Sequence, residues 1–260
     1  MSAMSHKIES IIAFPILDSR GNPTIKTIIT DTSGLQASAS VPSGASTGSY
    51  EAIELRDNEK AFGGKGVNTA VRIINETLAI KLKGTPIEDL QKIDQIMCEL
   101  DGTQNKSNFG ANSILSVSLA AARLAARARD IQLFSLLSEH YFPTRQLAFP
   151  RPLSNIINGG AHANNGLDFQ EFIVIPLSAT TFMDCYQVIS EVYHTLKRIL
   201  EAKDLLTTVG DEGGFAPRLQ SNAEALSLIL EAIEKAGYNP GTDVGIALDI
   251  AGSKLFDNGK

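Results

Sequence analysis

The sequence predicts two domains in tandem. The first is an α+β domain, a three-stranded meander followed by helices, over residues 8–142; the second is an incomplete α/β TIM-type barrel over residues 150–260. Three observations predict this. A β-branched segment flanked by turn clusters precedes a run of helix-periodic segments. Prolines at 143, 150 and 152 then mark a boundary. Beyond it, short apolar runs alternate with long amphipathic segments, as strand and helix alternate in a βα-barrel. From Pro152 onward there are about 109 residues, against ~250 for a full eight-fold barrel.

The elements follow in order. Residues 24–30, Thr-Ile-Lys-Thr-Ile-Ile-Thr, are rich in the β-branched types that suit a pleated surface. Turn clusters at 18–23 and 31–34 bracket them, and residues 35–41 read as a returning strand. Thr85-Pro86-Ile87-Glu88 has the form of a capping box, with Thr85 as N-cap and Pro86 at the first helical position. Leu90, Ile93, Ile96, Met97 and Leu100 then recur at helical spacing, and Gly102 ends the run. An Ala-rich helix is predicted over 111–129, with Leu115, Leu119, Ala122 and Ala126 as one packing stripe. In the second domain, residues 153–157, 171–175 and 244–248 read as strands buried on both faces. Residues 182–200 and 223–236 read as amphipathic helices.

Composition narrows the function. The chain is 43% hydrophobic and 20% charged, ordinary for a globular protein. A net charge of -6 and the lack of any basic run oppose nucleic-acid binding. Cys98 and Cys185 show no metal or redox spacing and read as free thiols in a reducing compartment. The first residues lack the apolar core of a secretory signal, and no run approaches the ~20 apolar residues of a membrane span. The expected location is the cytoplasm, with no membrane contact.

The chemistry concentrates in Val209-Gly210-Asp211-Glu212-Gly213-Gly214-Phe215. Two adjacent carboxylates sit in a loop whose glycines permit close approach by backbone or ligand. In an extended pair only one of them would face a site. The bland reading is a solvated acidic turn. Glu171 and Asp249 also fall at or near strand ends, where barrel enzymes carry their functional groups. Carboxylates that converge need a proton or a cation between them. Oxygen donors without thiolate or imidazole clusters suit Mg²⁺. The residues alone thus reach a metal-assisted barrel enzyme or a metal-binding barrel.

Five fragments in order resemble the enolase family: Asp18-Ser19-Arg20-Gly21-Asn22-Pro23-Thr24, Pro42-Ser43-Gly44-Ala45-Ser46-Thr47-Gly48, Asn158-Gly159-Gly160-Ala161-His162-Ala163-Asn164-Asn165 with Phe169-Gln170-Glu171-Phe172, the acidic loop, and Ile246-Ala247-Leu248-Asp249. The resemblance implies dehydration of 2-phosphoglycerate to phosphoenolpyruvate. It implies Glu212 as general acid and Glu171 as its hydrogen-bonded partner. His162 and Gln170 would contact substrate. Asp249 would bind the tighter Mg²⁺, and Ser46 a second one as its glycine-flanked loop closes. Each has a structural alternative: a loop histidine, a solvent-facing strand end, a cap at Asp249, a turn serine. His6, His140 and His194 match no motif.

The resemblance also implies functional groups that would lie beyond Lys260: two further acidic ligands, a lysine base, and the cations that hold the phosphate and carboxylate. Ala251-Gly252-Ser253-Lys254 departs from the family's pattern of a second small residue followed by Glu. On this reading the chain alone has no turnover. An open strand edge would favour aggregation or homo-oligomerisation. It would also allow pairing with full-length enolase, through the Arg20 turn and adjacent strands that resemble the family's dimer-forming region. The alternative function is a non-catalytic, enolase-derived binding or oligomerisation protein.

Overall fold

The structure is a computed structural model that describes residues 6–44, 47–160, 163–210 and 212–254. These fall into two compact units, one built from the residues up to Gly44 with Tyr50–Leu147, the other from residues 47–49 and from Ala148 onward.

The first unit opens with the expected meander. Strands β1 (Ile8–Leu17), β2 (Pro23–Asp31) and β3 (Gln36–Ser40) pair antiparallel in that order. The β1–β2 turn is fixed locally: Asp18 Oδ1 accepts from the backbone N–H groups of Arg20 and Asn22, both at 2.9 Å. Asp31 does the same for the β2–β3 turn, accepting from Ser33 and Leu35 N–H at 2.9 Å each and from His6 Nδ1 at 2.5 Å. Thus His6, outside every sequence motif, holds a turn aspartate.

Helices cover one face of this sheet. The stretch α1 (Asn68–Ile73) runs through a π turn, Ile74–Leu78, into α2 (Ala79–Leu82); α3 (Leu90–Asp101), α4 (Ala111–Ala128) and α5 (Leu133–Tyr141) follow. Ile8, Ile25, Ile29, Ile74, Leu78, Ile93, Met97 and Leu124 are wholly buried between the layers. Two expectations need correction. The α3 N-cap is Asp89, which accepts from Lys92 N–H at 3.2 Å, and not Thr85. Residues 85–87 are captured by the start of β1: Ile8 N–H donates to Thr85 O, and Ile87 N–H donates to His6 O. Sheet pairing outcompetes the cap. In α4, Ala126 is buried and Leu119 and Ala122 pack against the core as expected, but Leu115 is 40% exposed, and Ile114, Val117, Ala121 and Leu124 make up the rest of the buried face. On that face Ser116 Oγ meets Thr27 Oγ1 of β2 at 2.8 Å.

Burial alone would raise the Asp31 and Asp101 carboxyls. Hydrogen bonds outweigh it, from Ser33 and His6 to Asp31 and from Thr103 and Phe109 to Asp101, and hold both below the ordinary 3.8. A carboxyl lowered by folding contributes stability that is fully present above its unfolded value and is lost as pH falls through the folded one. The thermal midpoint of this unit is therefore expected to hold down to about pH 4 and to drop steeply below it. Asp31→Asn should flatten that drop in a calorimetric pH series. An unchanged slope would remove Asp31 from the account.

The second unit holds β4 (Ser154–Asn158), β5 (Glu171–Pro176), α6 (Phe182–Ala202), α7 (Asn222–Lys235) and β6 (Val244–Asp249). All three strands were expected, but as parallel βα units. Among the described residues they form an antiparallel sheet in the order β4-β5-β6. Two connections explain this. No helix lies between β4 and β5, and a parallel crossover requires one or an equivalent length of chain. Two helices lie between β5 and β6, so the chain re-enters the sheet at the edge it left: Val244 pairs with Pro176. The end of β4 is buried on both faces, at Ile156 and Ile157, but β5 and β6 are not. Along β5, Phe172, Val174 and Pro176 are buried, while Glu171, Ile173 and Ile175 are half-buried. The buried face packs with α6 and α7 through Val192, Leu196, Ile229 and Ile233.

Cys98 is half-buried and Cys185 buried, and both are free. Among the described residues, no helix is long and apolar enough to cross a membrane.

Candidate functional site

The reversed direction of β5 builds the site. Its first residue, Glu171, lies directly opposite Asp249, the last residue of β6, and opposite Asn158, the last residue of β4. Side chains at paired positions share a face, with Cβ atoms ~4.5–5.5 Å apart. One sheet edge thus gathers Asn158, Glu171 and Asp249 on the face away from α6 and α7. Gln170 joins them: its backbone N–H donates to Asp249 O at 2.9 Å, and its side-chain Nε2 donates to Asp249 Oδ2 at 3.2 Å. The other oxygen, Asp249 Oδ1, accepts from Ala251 N–H at 2.9 Å. Ala251 takes a left-handed φ of 52°, which costs about 1 kcal/mol or more for a residue with a Cβ. The carboxylate is therefore aimed by a local turn and by a neighbouring amide together. This local bond to the segment after β6 agrees with the capping alternative for Asp249.

Glu212 stands in a tight turn, not in an extended pair. Val209 bridges Phe215, and Gly210 N–H donates to Gly214 O at 2.8 Å. The turn is bolted to β4: Phe215 N–H donates to Ile156 O, and Asn158 N–H donates to Phe215 O, both at 2.9 Å. On its other side Tyr193 of α6 stacks on Phe215 at 4.3 Å and donates its hydroxyl to Gly213 O at 3.2 Å. Glu212 is exposed and lines a cavity of about 420 Å³ with Asn155, Tyr186 and Tyr193, among others. That cavity's described lining includes neither Glu171 nor Asp249. The structure thus brings Gln170, Glu171 and Asp249 together and sets Glu212 on an adjoining turn. Ser46 and His162 lie outside the described residues, as does Asp211.

Sequence reasoning missed the groups that hold these segments. Asn158 is wholly buried, and its carbonyl accepts from Asn165 Nδ2 at 2.8 Å. Asn222, the first residue of α7, accepts at Oδ1 from the N–H groups of Asp168 and Phe169. Only Asn158 and Asn165 fell inside a quoted motif, and composition gives no sign that an asparagine is buried.

The donors match a hard divalent cation in kind, being carboxylate and amide oxygens without thiolate. They do not match it in number. No group of three or more His, Cys, Asp or Glu that could hold a metal ion occurs among the described residues.

A meander-and-helix domain followed by a strand–helix domain with an acidic strand end defines a two-domain protein of mixed α and β structure. The chain belongs to the enolase family. The family model "Enolase, N-terminal domain" matches residues 8–137, and "Enolase, C-terminal TIM barrel domain" matches residues 146–260. Enolase from Legionella pneumophila subsp. pneumophila strain Philadelphia 1 is 50% identical over 255 residues, 98% of this chain and 59% of the relative. Enolase from Legionella pneumophila strain Corby gives the same identity and coverage. The chain therefore spans 59% of the length of these relatives.

Proposed function

We propose that this chain carries the acid side of an enolase-type lyase, which dehydrates 2-phosphoglycerate to phosphoenolpyruvate. One observation carries the reading: Glu171 and Asp249 are register partners on one sheet edge, with Gln170 bonded to Asp249. Family membership supplies the reaction. Glu212 protonates the departing hydroxide, and Glu171 supports it within a hydrogen-bonded group. Gln170 and His162 contact the substrate. Asp249 would hold a tighter cation and Ser46 a second one, for both of which we propose Mg²⁺; when bound, such ions would stabilise negative charge on the enolate-like oxygens. Since the described donors do not complete its shell, every role assigned here belongs to the chain's own side chains.

The test combines calorimetry with phosphoenolpyruvate absorbance, using the purified chain, Mg²⁺ and 2-phosphoglycerate. Asp249→Asn is expected to weaken Mg²⁺-dependent binding of 2-phosphoglycerate at least tenfold. Glu212→Gln should leave that binding within about twofold, and neither the chain nor this variant is expected to raise the phosphoenolpyruvate absorbance. Binding that is independent of Mg²⁺, or indifferent to Asp249→Asn, would defeat the reading.

A further inference from the structure

We infer that Asn158 is the positioning residue that sets the acidic turn and the loop over 163–169 on the strand edge. The inference rests on the enolase reading only for what the positioned groups do. Three independent contacts of one residue carry it. Its backbone N–H binds Phe215 O and so fixes the acidic turn. Its carbonyl accepts from Asn165 Nδ2, which fixes the far side of the loop that follows β4; the loop's base closes through Gly159 N–H to Gln170 O at 3.0 Å. Its Cα faces Glu171 in register.

The side chain acts as a spacer between β4 and the turn. Its Oδ1 accepts from Asn155 Nδ2 at 2.8 Å. A Cβ built on Gly210 would lie 2.7 Å from Asn158 Nδ2, and one on Gly214 would lie 2.3 Å from Asn158 Oδ1. The amide is thus clamped flat between the two glycines that flank Asp211-Glu212-Gly213. Its Nδ2 is buried without a hydrogen-bond partner among the described residues. A buried donor left unpaired disfavours folding. Its presence here is accounted for by shape: the amide fills the gap that sets the height of Glu212 above the sheet. Truncating it removes the spacer and lets the turn settle toward β4, while the β4–β5–β6 ladder keeps its own hydrogen bonds.

The experiment uses the full chain and needs no substrate. Asn158→Ala is compared with Val192→Ala, a variant in the buried core of the same unit. Amide hydrogen exchange is read by residue, and the side-chain carboxyl ¹³C resonances of Glu212 and Glu171 are recorded. In Asn158→Ala, exchange is expected to rise at least tenfold in 209–215 while the strand amides of β5 stay protected, and the Glu212 carboxyl resonance should move. The backbone carbonyl persists in that variant, so 163–169 should stay protected there and loosen instead in Asn165→Ala, which removes the donor to it. In Val192→Ala exchange should rise without either carboxyl resonance moving. If Asn158→Ala loosens sheet and turn alike or leaves the Glu212 resonance in place, or if Asn165→Ala leaves 163–169 protected, the positioning role is wrong. Loss of 2-phosphoglycerate binding in the wild-type chain would instead count against the enolase reading and leave this result standing.

Discussion

Asp101→Ala is expected to bring the first unit close to unfolding at room temperature. Asp101 closes α3, and only 1% of its surface is exposed. Its carboxylate accepts from the N–H groups of Thr103 at 2.9 Å, Asn108 at 3.1 Å and Phe109 at 2.7 Å, and also from the Thr103 hydroxyl. Alanine would leave three backbone donors of a part-buried loop without their carboxylate acceptor. Each stranded donor costs about 1–3 kcal/mol, and the costs do not simply add. A total of about 3–5 kcal/mol is a large share of the 5–15 kcal/mol that holds a typical domain together. Urea unfolding followed by circular dichroism measures it. Asp101→Asn keeps one carbonyl acceptor and should lose roughly half as much. A loss below about 1 kcal/mol for the alanine variant would show that the loop rearranges to satisfy its own donors.

The second large effect is expected at Gly214, and its neighbour supplies the control. A Cβ on Gly214 would sit 2.3 Å from Asn158 Oδ1 and 2.9 Å from the backbone of Ile156 and Ile157. Those atoms belong to a strand in register with β5, so they cannot retreat as a flexible side chain could. Gly214→Ala should therefore cost about 3 kcal/mol, the upper end of overpacking, and detach the acidic turn. Gly213 has open space around it but a φ of +86°. Gly213→Ala should cost only the left-handed penalty, about 1–2 kcal/mol. The check is the difference in thermal midpoint between the two variants. Equal losses would mean that the turn is not pressed against β4.

Much of this arrangement was legible in the sequence, and the illegible parts share a cause. The meander could be read because β-branched runs and aspartate-led turns are local signals. So could α6, whose Thr181 and Asp184 form a full capping box. The cap at Thr85 failed because a distant partner, β1, claimed residues 85–87. The packing stripe of α4 was right at Leu119, Ala122 and Ala126 and wrong at Leu115, because an alanine-rich helix offers several plausible apolar faces. Glu171 and Asp249 were identifiable as strand ends. That they oppose each other depends on the number of helices between β5 and β6, which reverses the strand direction. Asn158 was quoted for its motif and not for its burial, since hydrogen bonding across segments leaves no periodic mark.

The antiparallel join of β5 to β6 has a temporal consequence. The β4–β5 hairpin closes from neighbouring residues, but β6 leaves the ribosome only after both helices have been made. At ~5–20 residues per second, the roughly 70 residues from Pro176 to Asp249 take on the order of 4–14 seconds to synthesise. Throughout that interval Glu171 has no facing carboxylate, and one side of the nascent hairpin stays open to whatever strand it meets first. A synonymous-codon slowdown between α6 and α7 would lengthen that exposure and should appear as a lower soluble yield of an unaltered polypeptide.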